Sequence, residues 1–367
     1  MKLPPFKLER YFARYEFAVR HLMCASDCES MTVSELLDLE GGAAEAFRNC
    51  WLGYTEAAGD PALRREIARI YATVGDDQIL VHTGAEEAVF LCMQAALSPG
   101  DHVVVHWPGY QSLFEVARAV GCEVSFWEAR EENRWALDLD ELRRQIRPAT
   151  RAVVVNTPHN PTGHLMTAAD QAALVEIVRE HGLILFSDEV YRESEYSPAD
   201  RLPAACDLDE RAVSLGVLSK TYGLPGLRIG WVATRNAALL QRMAALKDYT
   251  TICNSAPSEF LAAVALRHRH DLARRSQAVI QGNLALLDDF FIRHNERFAW
   301  VPPKAGPIAF PRLKKDDADD FCRRLVTEAG VLLLPGSVYD HPGHHFRIGF
   351  GRRSLPGALA ALERFLA

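Results

Sequence analysis

Three stretches decide how this chain folds: residues 152–163, AVVVNTPHNPTG; residues 183–191, LILFSDEVY; and residues 212–231, AVSLGVLSKTYGLPGLRIGW. Each opens on an apolar or β-branched run and closes in polar or glycine-rich residues, the pattern of a buried strand that stops at a turn. Outward from them, residues 102–106, 123–127 and 228–234 read as further strands. Residues 110–120, 139–146 and 167–181 repeat apolar side chains every three or four positions and read as helices. Near-continuous apolar strands alternating with helices predict an α/β fold whose sheet is mostly parallel and covered on both faces.

The remainder is of mixed character. Residues 258–298 predict two helices, and the tail predicts strands at 308–312, 331–334 and 346–350, a helix over 317–329 and a last helix from Leu355. A chain of 367 residues exceeds the usual size of one hydrophobic core. The expected division is a large domain at 45–260 and a smaller α+β domain made of 1–44 plus 261–367.

Composition narrows the function classes. Apolar residues at 49% and charged ones at 24% exclude a disordered or fibrous chain. With 41 basic against 48 acidic residues the net charge is −7, so no nucleic-acid partner is expected. Runs such as 103–105 and 183–186 are far too short to span a bilayer, and residues 1–20 lack the apolar centre of a secretory signal. The expectation is a cytoplasmic protein with no membrane partner. Only Cys24 and Cys28 of the 8 cysteines lie close together, without a second pair at metal-ligand spacing, so reduced thiols and no metal are expected.

Lysine usage is uneven: between Lys7 and Lys247 a single lysine occurs, Lys220. An amine can form an imine with an aldehyde, where arginine under ordinary conditions cannot. In open α/β sheets ligands sit at the carboxyl ends of the strands. Three consecutive strands here deliver Asn160, then Asp188 with Tyr191, then Ser219, Lys220 and Arg228 to one edge. Taken singly, Asn160 could shape a turn, Asp188 could cap a helix and Lys220 could be an exposed cation. Together they supply what an aldehyde cofactor on a pyridinium ring needs. Asp188 is the anion for the ring nitrogen, Tyr191 and Asn160 donate to the phenolic oxygen, Lys220 provides the imine nitrogen and Arg228 clamps the phosphate.

These motifs, Asn160-Pro161-Thr162-Gly163, Asp188-Glu189-Val190-Tyr191 and Ser219-Lys220-Thr221-Tyr222-Gly223-Leu224-Pro225-Gly226-Leu227-Arg228, resemble those of pyridoxal-phosphate-dependent aminotransferases of class I/II, the fold-type I superfamily. The resemblance runs from Tyr54 to Arg347 and implies an enzyme acting on an amino acid and a 2-oxo acid. It implies further that the turn at Gly84, Ala85 and Glu86 holds the phosphate at a helix N-terminus, and that Tyr110, with Trp107 as competitor, stacks on the ring. It assigns Arg347 to the substrate α-carboxylate beside Asn160, and Tyr54 to the phosphate of a neighbouring subunit in a homodimer.

Three departures stand out. Val217 replaces a frequent serine, leaving Ser219 to supply the hydroxyl; Glu86 puts a carboxylate at the phosphate turn and is expected to point away; and 22–27 lacks the usual glycine. His21, Met23, Asp27, Trp107 and Asn254 are expected near the substrate side chain. The Pro-His-Asn-Pro turn, the stretch around Lys220 and residues 247–251 also resemble capreomycidine synthase and related arginine-derived amino-acid cyclases, so a lyase or cyclase is the alternative activity. Transcription regulators with an aminotransferase-like domain carry a basic DNA-binding segment ahead of it; the match here begins within the first sixty residues, which opposes that reading.

Overall fold

The apolar runs become a seven-stranded sheet in the computed structural model, which describes residues 2–367. In chain order the strands are β1 (Ile79–His82), β2 (His102–Trp107), β3 (Glu123–Glu128), β4 (Thr150–Asn156), β5 (Ile184–Asp188), β6 (Ala212–Val217) and β7 (Gly230–Ala233). Across the sheet they lie in the order β1-β7-β6-β5-β4-β2-β3. Only β7 runs against its neighbours, so the sheet is mostly parallel, as expected. The sequence reading missed β1, a four-residue edge strand buried throughout and too short to show a period.

Alternation along the strands explains why both faces are covered. Val103 and Val105 on β2, with Val154, Phe186 and Leu215, pack against the helices Gly84–Ala96, Ser112–Val120 and Ala237–Lys247. Val104, Val153, Val155 and Leu185 face the other way, onto the helix Ala168–Glu180. That helix starts where Thr167 accepts a hydrogen bond from the Asp170 amide at 3.1 Å. The helix Ser112–Val120 stops at Gly121, whose φ of +104° a side chain would strain.

A second core gathers the helices Arg269–Arg293, Ala318–Arg324 and Leu355–Leu366 around short strands. Here two sequence expectations need correction. The strand expected at 308–312 is two, Ile308–Ala309 paired with Phe346–Gly349 and Arg312–Leu313 paired with Phe298–Ala299. Pro311 between them has no amide hydrogen to continue one ladder. The strand expected at 331–334 likewise splits, Val331–Leu332 joining His21–Leu22 and Leu334–Pro335 joining Phe346–Gly349. The helix expected over 317–329 ends in a π-helical turn at Leu325–Ala329. All eight cysteines are unpaired. Among the described residues no helix is long and apolar enough to cross a membrane.

Candidate active site

The sheet's carboxyl edge opens into a cavity of about 410 Å³. Strand register builds its floor, because Asn156 and Asp188 are partners at the ends of β4 and β5, and Asp188 lies opposite Leu215 of β6. Asn156 Nδ2 donates to the Asp188 carbonyl at 3.0 Å, while its Oδ1 accepts the Asn160 amide at 2.6 Å. One side chain thus ties the turn after β4 to the end of β5.

Asp188 is buried, and its carboxylate accepts only the Val190 amide, at 3.2 Å. Burial pushes its pKa up to about 7, against the opposing pull of Lys220. Lys220, just past β6, donates from Nζ to Ser26 Oγ at 2.9 Å. Burial lowers its pKa below the ordinary lysine value and Arg347 acts in the same sense, with Asp27 and Asp188 opposing. Tyr191 is 1% exposed, and its hydroxyl lies near Ser26 without a well-formed hydrogen bond among the described residues. A buried hydroxyl in that condition is costly unless a ligand completes it. Ser219 also lines the cavity, beside Val217.

At the end of β1 the chain turns into the helix Gly84–Ala96; the Thr83 side chain does not cap its first amides, and the Thr83 amide itself is taken by Glu87 Oε2 at 2.7 Å. Gly84 has φ +79°, and a Cβ there would lie 2.4 Å from Arg228 Nη2. Glycine therefore lets the guanidinium lie directly against the turn. A Cβ at Gly230 would come within 2.8 Å of the Ala85 amide nitrogen, so β7 closes on the same turn. Free amides at a helix N-terminus with an arginine beside them form a cradle for a dianion.

Glu86 does not point away, which corrects the expectation. It lines the cavity and accepts the Ser112 hydroxyl at 3.2 Å. Burial raises its pKa to about 7, with Glu9 adding to the rise while Ser112 and Arg228 oppose it. The Ser112 hydroxyl anchors the carboxyl inside, a contact that spacing along the chain does not reveal.

The opposite wall comes from the two ends of the chain. Arg347, on the strand Phe346–Gly349, is 1% exposed and not the surface arginine an edge strand would allow. It donates to the Cys24 carbonyl at 2.7 and 3.1 Å, to Asn160 Oδ1 at 3.1 Å and to the Tyr339 hydroxyl. Tyr339 in turn donates to Asn160 Oδ1 at 2.9 Å. Leu8, Glu9, Phe12 and Glu16, on or just after the helix Lys7–Tyr15, complete the wall with Ser26, Asp27 and Arg352.

Tyr110 lines the cavity, its hydroxyl 3.4 Å from Glu9 Oε1 and its ring 5.0 Å from Phe6. Trp107 instead packs on Phe126 and His341, outside it. Of the residues expected near the substrate side chain, Asp27 lines the cavity while His21, Met23, Trp107 and Asn254 do not. Tyr54 is 84% exposed and lies in a separate surface depression with Trp51 and Phe260, so it does not reach the cavity of its own chain. Ser26, Tyr339, Arg352 and the N-terminal helix were missed; only the apolar spacing of Leu8 and Phe12 hinted at a packed helix.

A half-buried amine near a buried carboxyl, a tyrosine hydroxyl without a well-formed hydrogen bond and an anion cradle share one cavity under a buried arginine. The family model for aminotransferase class I and II matches residues 30–358. The chain belongs to that family. Capreomycidine synthase of Streptomyces vinaceus is 32% identical over 99% of this chain and 94% of its own length. Aspartate aminotransferase of Geobacillus stearothermophilus is 28% identical over 93% of this chain and 88% of its own. The crystal structure of a PLP-dependent aminotransferase from Streptococcus suis superimposes with a TM-score of 0.94 at 34% identity, covering 100% of this chain and 98% of that one.

The fold is therefore that of the fold-type I aminotransferases, and the cofactor is pyridoxal 5′-phosphate. The cavity fits it. The Tyr191 hydroxyl is free of any well-formed hydrogen bond and can meet a phenolic oxygen, the buried Asp188 carboxyl suits a ring cation, and Gly84 lets the Arg228 guanidinium close on the amides of the turn where a phosphate would sit.

Proposed function

We propose that this family member is a transaminase, moving an amino group between an amino acid and a 2-oxo acid. When bound, pyridoxal 5′-phosphate supplies an aldehyde that condenses with amines and a protonated ring that draws electrons from the reacting carbon. The observation that carries the reading is Lys220: a desolvated amine with lowered pKa, held at 2.9 Å by Ser26 beside the buried Asp188. A lysine with lowered pKa would hold the cofactor's aldehyde and could take the proton from the substrate Cα at its Nζ.

The other residues bind and orient. Asp188 would hold the protonated ring nitrogen, Tyr191 and Asn160 would donate to the phenolic oxygen, and Tyr110 would cover the ring. The amides of Gly84, Ala85 and Glu86, the Ser219 hydroxyl and Arg228 hold the phosphate. Arg347, next to Asn160, grips the α-carboxylate through its planar fork. Tyr54 serves the neighbouring active site in a cytoplasmic homodimer, where its exposed ring would be covered. The division into a cofactor-bearing domain at 45–260 and a second domain from 1–44 plus 261–367 belongs to the same proposal.

Mixing the enzyme with an amino acid in the absence of oxo acid tests it. Transamination converts the cofactor's aldehyde absorbance into that of its amine form and releases one equivalent of 2-oxo acid. The full-length similarity to capreomycidine synthase favours a second reading, a lyase or cyclase. For that activity the aldehyde absorbance returns and no amine form accumulates.

A further inference from the structure

The roles proposed above leave one wall of the cavity without a task, and the inference here rests on them. Once Asp188, Lys220, Arg228 and Arg347 are engaged by cofactor and α-carboxylate, the charges left in the lining are Glu9, Glu16, Asp27 and Glu86 against Arg352 alone. Asp27 and Arg352 close on each other through two contacts, Nε to Oδ1 at 3.1 Å and Nη2 to Oδ2 at 2.8 Å. That pair is self-contained. Among the described residues Glu9 and Glu16 have no ion-pair partner and Glu86, partly neutralised by burial, has the Ser112 hydroxyl, so acidic groups outnumber basic ones in the remaining lining. Burial raises the pKa of Glu16, and Asp27 and Glu9 push the same way against Arg352.

The wall is also shaped. Positions 8 and 12, and 9 and 16, lie at helical spacings of four and seven, so apolar and acidic side chains enter the cavity from one face of the segment. The cavity is marked as a ligand site independently of its acids by the buried Tyr191 hydroxyl, which near Ser26 makes no well-formed hydrogen bond among the described residues. A substrate ending in a carboxylate would have to displace Asp27 from Arg352 and sit among the remaining acids. A neutral side chain would leave those acids unanswered.

We infer that the amino-acid substrate carries a cationic side chain, a guanidinium or an ammonium group. Its methylenes run along Leu8 and Phe12, and its charge is taken by Glu9 and Glu16, with Glu86 adding to the field.

Titrating the holoenzyme with L-arginine, L-lysine, L-norleucine and L-glutamate tests this. Two readouts are followed: the cofactor's visible band, and the shift in unfolding temperature, which reports binding without turnover. Arginine or lysine should bind about tenfold or more tightly than norleucine, and glutamate more weakly than either, the preference shrinking as salt is raised. Glu9 is exposed and Glu16 half-buried, so a Glu9→Gln, Glu16→Gln double variant keeps the fold, and in it the preference should fall to within about threefold. Norleucine or glutamate binding as tightly as arginine, or a preference that survives the double substitution, would overturn the inference and leave the proposed function standing. A visible band that responds to no amino acid defeats the proposed function itself, and this inference with it.

Discussion

The two walls of the cavity are built in different ways. One comes from a single continuous stretch, Asn156 to Arg228, at the ends of β4, β5 and β6, where backbone pairing alone puts Asn156 beside Asp188. The other is assembled from distant parts: Arg347 reaches the Cys24 carbonyl across 323 positions, and Arg352 reaches Asp27 across 325. The first wall rests on a sheet buried on both faces, the second on short strands of two to four residues and a helix. On the function proposed above, the reactive groups sit on the stiff wall, and the groups that would meet the substrate sit on the wall that can be rebuilt without disturbing the sheet.

The separation predicts a graded set of effects. Lys220→Ala should lower turnover by at least about 10²–10⁴-fold, and Lys220→Arg as well although it keeps the charge. Mass spectrometry after borohydride treatment should find the cofactor adduct on the Lys220 peptide of the parent and on no peptide of either variant. An adduct that persists elsewhere would place the reacting amine outside the sheet wall.

Next comes a pH effect at Asp188. Its pKa of about 7 lies above the 3.8 of an unperturbed aspartate, so the native state holds the proton more tightly than the unfolded chain does. Stability from this group is complete at low pH and is lost as pH rises from about 4 through about 7. The loss in cofactor-free protein is on the order of 4 kcal/mol. Urea unfolding across that range should show a slope that Asp188→Asn removes and that added cofactor, by supplying a cation, flattens.

Arg347→Lys should then raise KM for the amino acid by about 10–100-fold while changing kcat far less, because an ammonium cannot reproduce the fork that spans Cys24, Asn160 and Tyr339. A fall in kcat as deep as that of Lys220→Ala would erase the distinction between the walls. Smallest is Lys7→Ala, which removes a half-exposed ion pair with Asp340 at the N-terminal helix. It should cost less than about 1 kcal/mol in thermal unfolding and leave turnover within about twofold.

Legibility followed the same division. That Asn160, Asp188, Tyr191, Lys220 and Arg228 meet in one cavity could be read in advance because each lies close after the end of a recognisable apolar run, within about ten residues, so local order along the chain is also order in space. The splitting of 308–312 turned on one proline whose effect depends on which strand it would have paired with. Glu86 was misjudged for a related reason: its direction depends on the Ser112 hydroxyl, which arrives from a different helix.

What the sequence by itself determined is the sheet and the chemical identity of its edge. Strand periodicity and the rule that ligands gather at carboxyl ends act over short distances along the chain. What only the tertiary structure decided is how residues 8–27 meet residues 339–352, and with that which charges stand unpaired around the substrate. Ion pairing and burial depend on distances between groups far apart in sequence, so the field inside the cavity comes into being only when both ends of the chain close over the sheet.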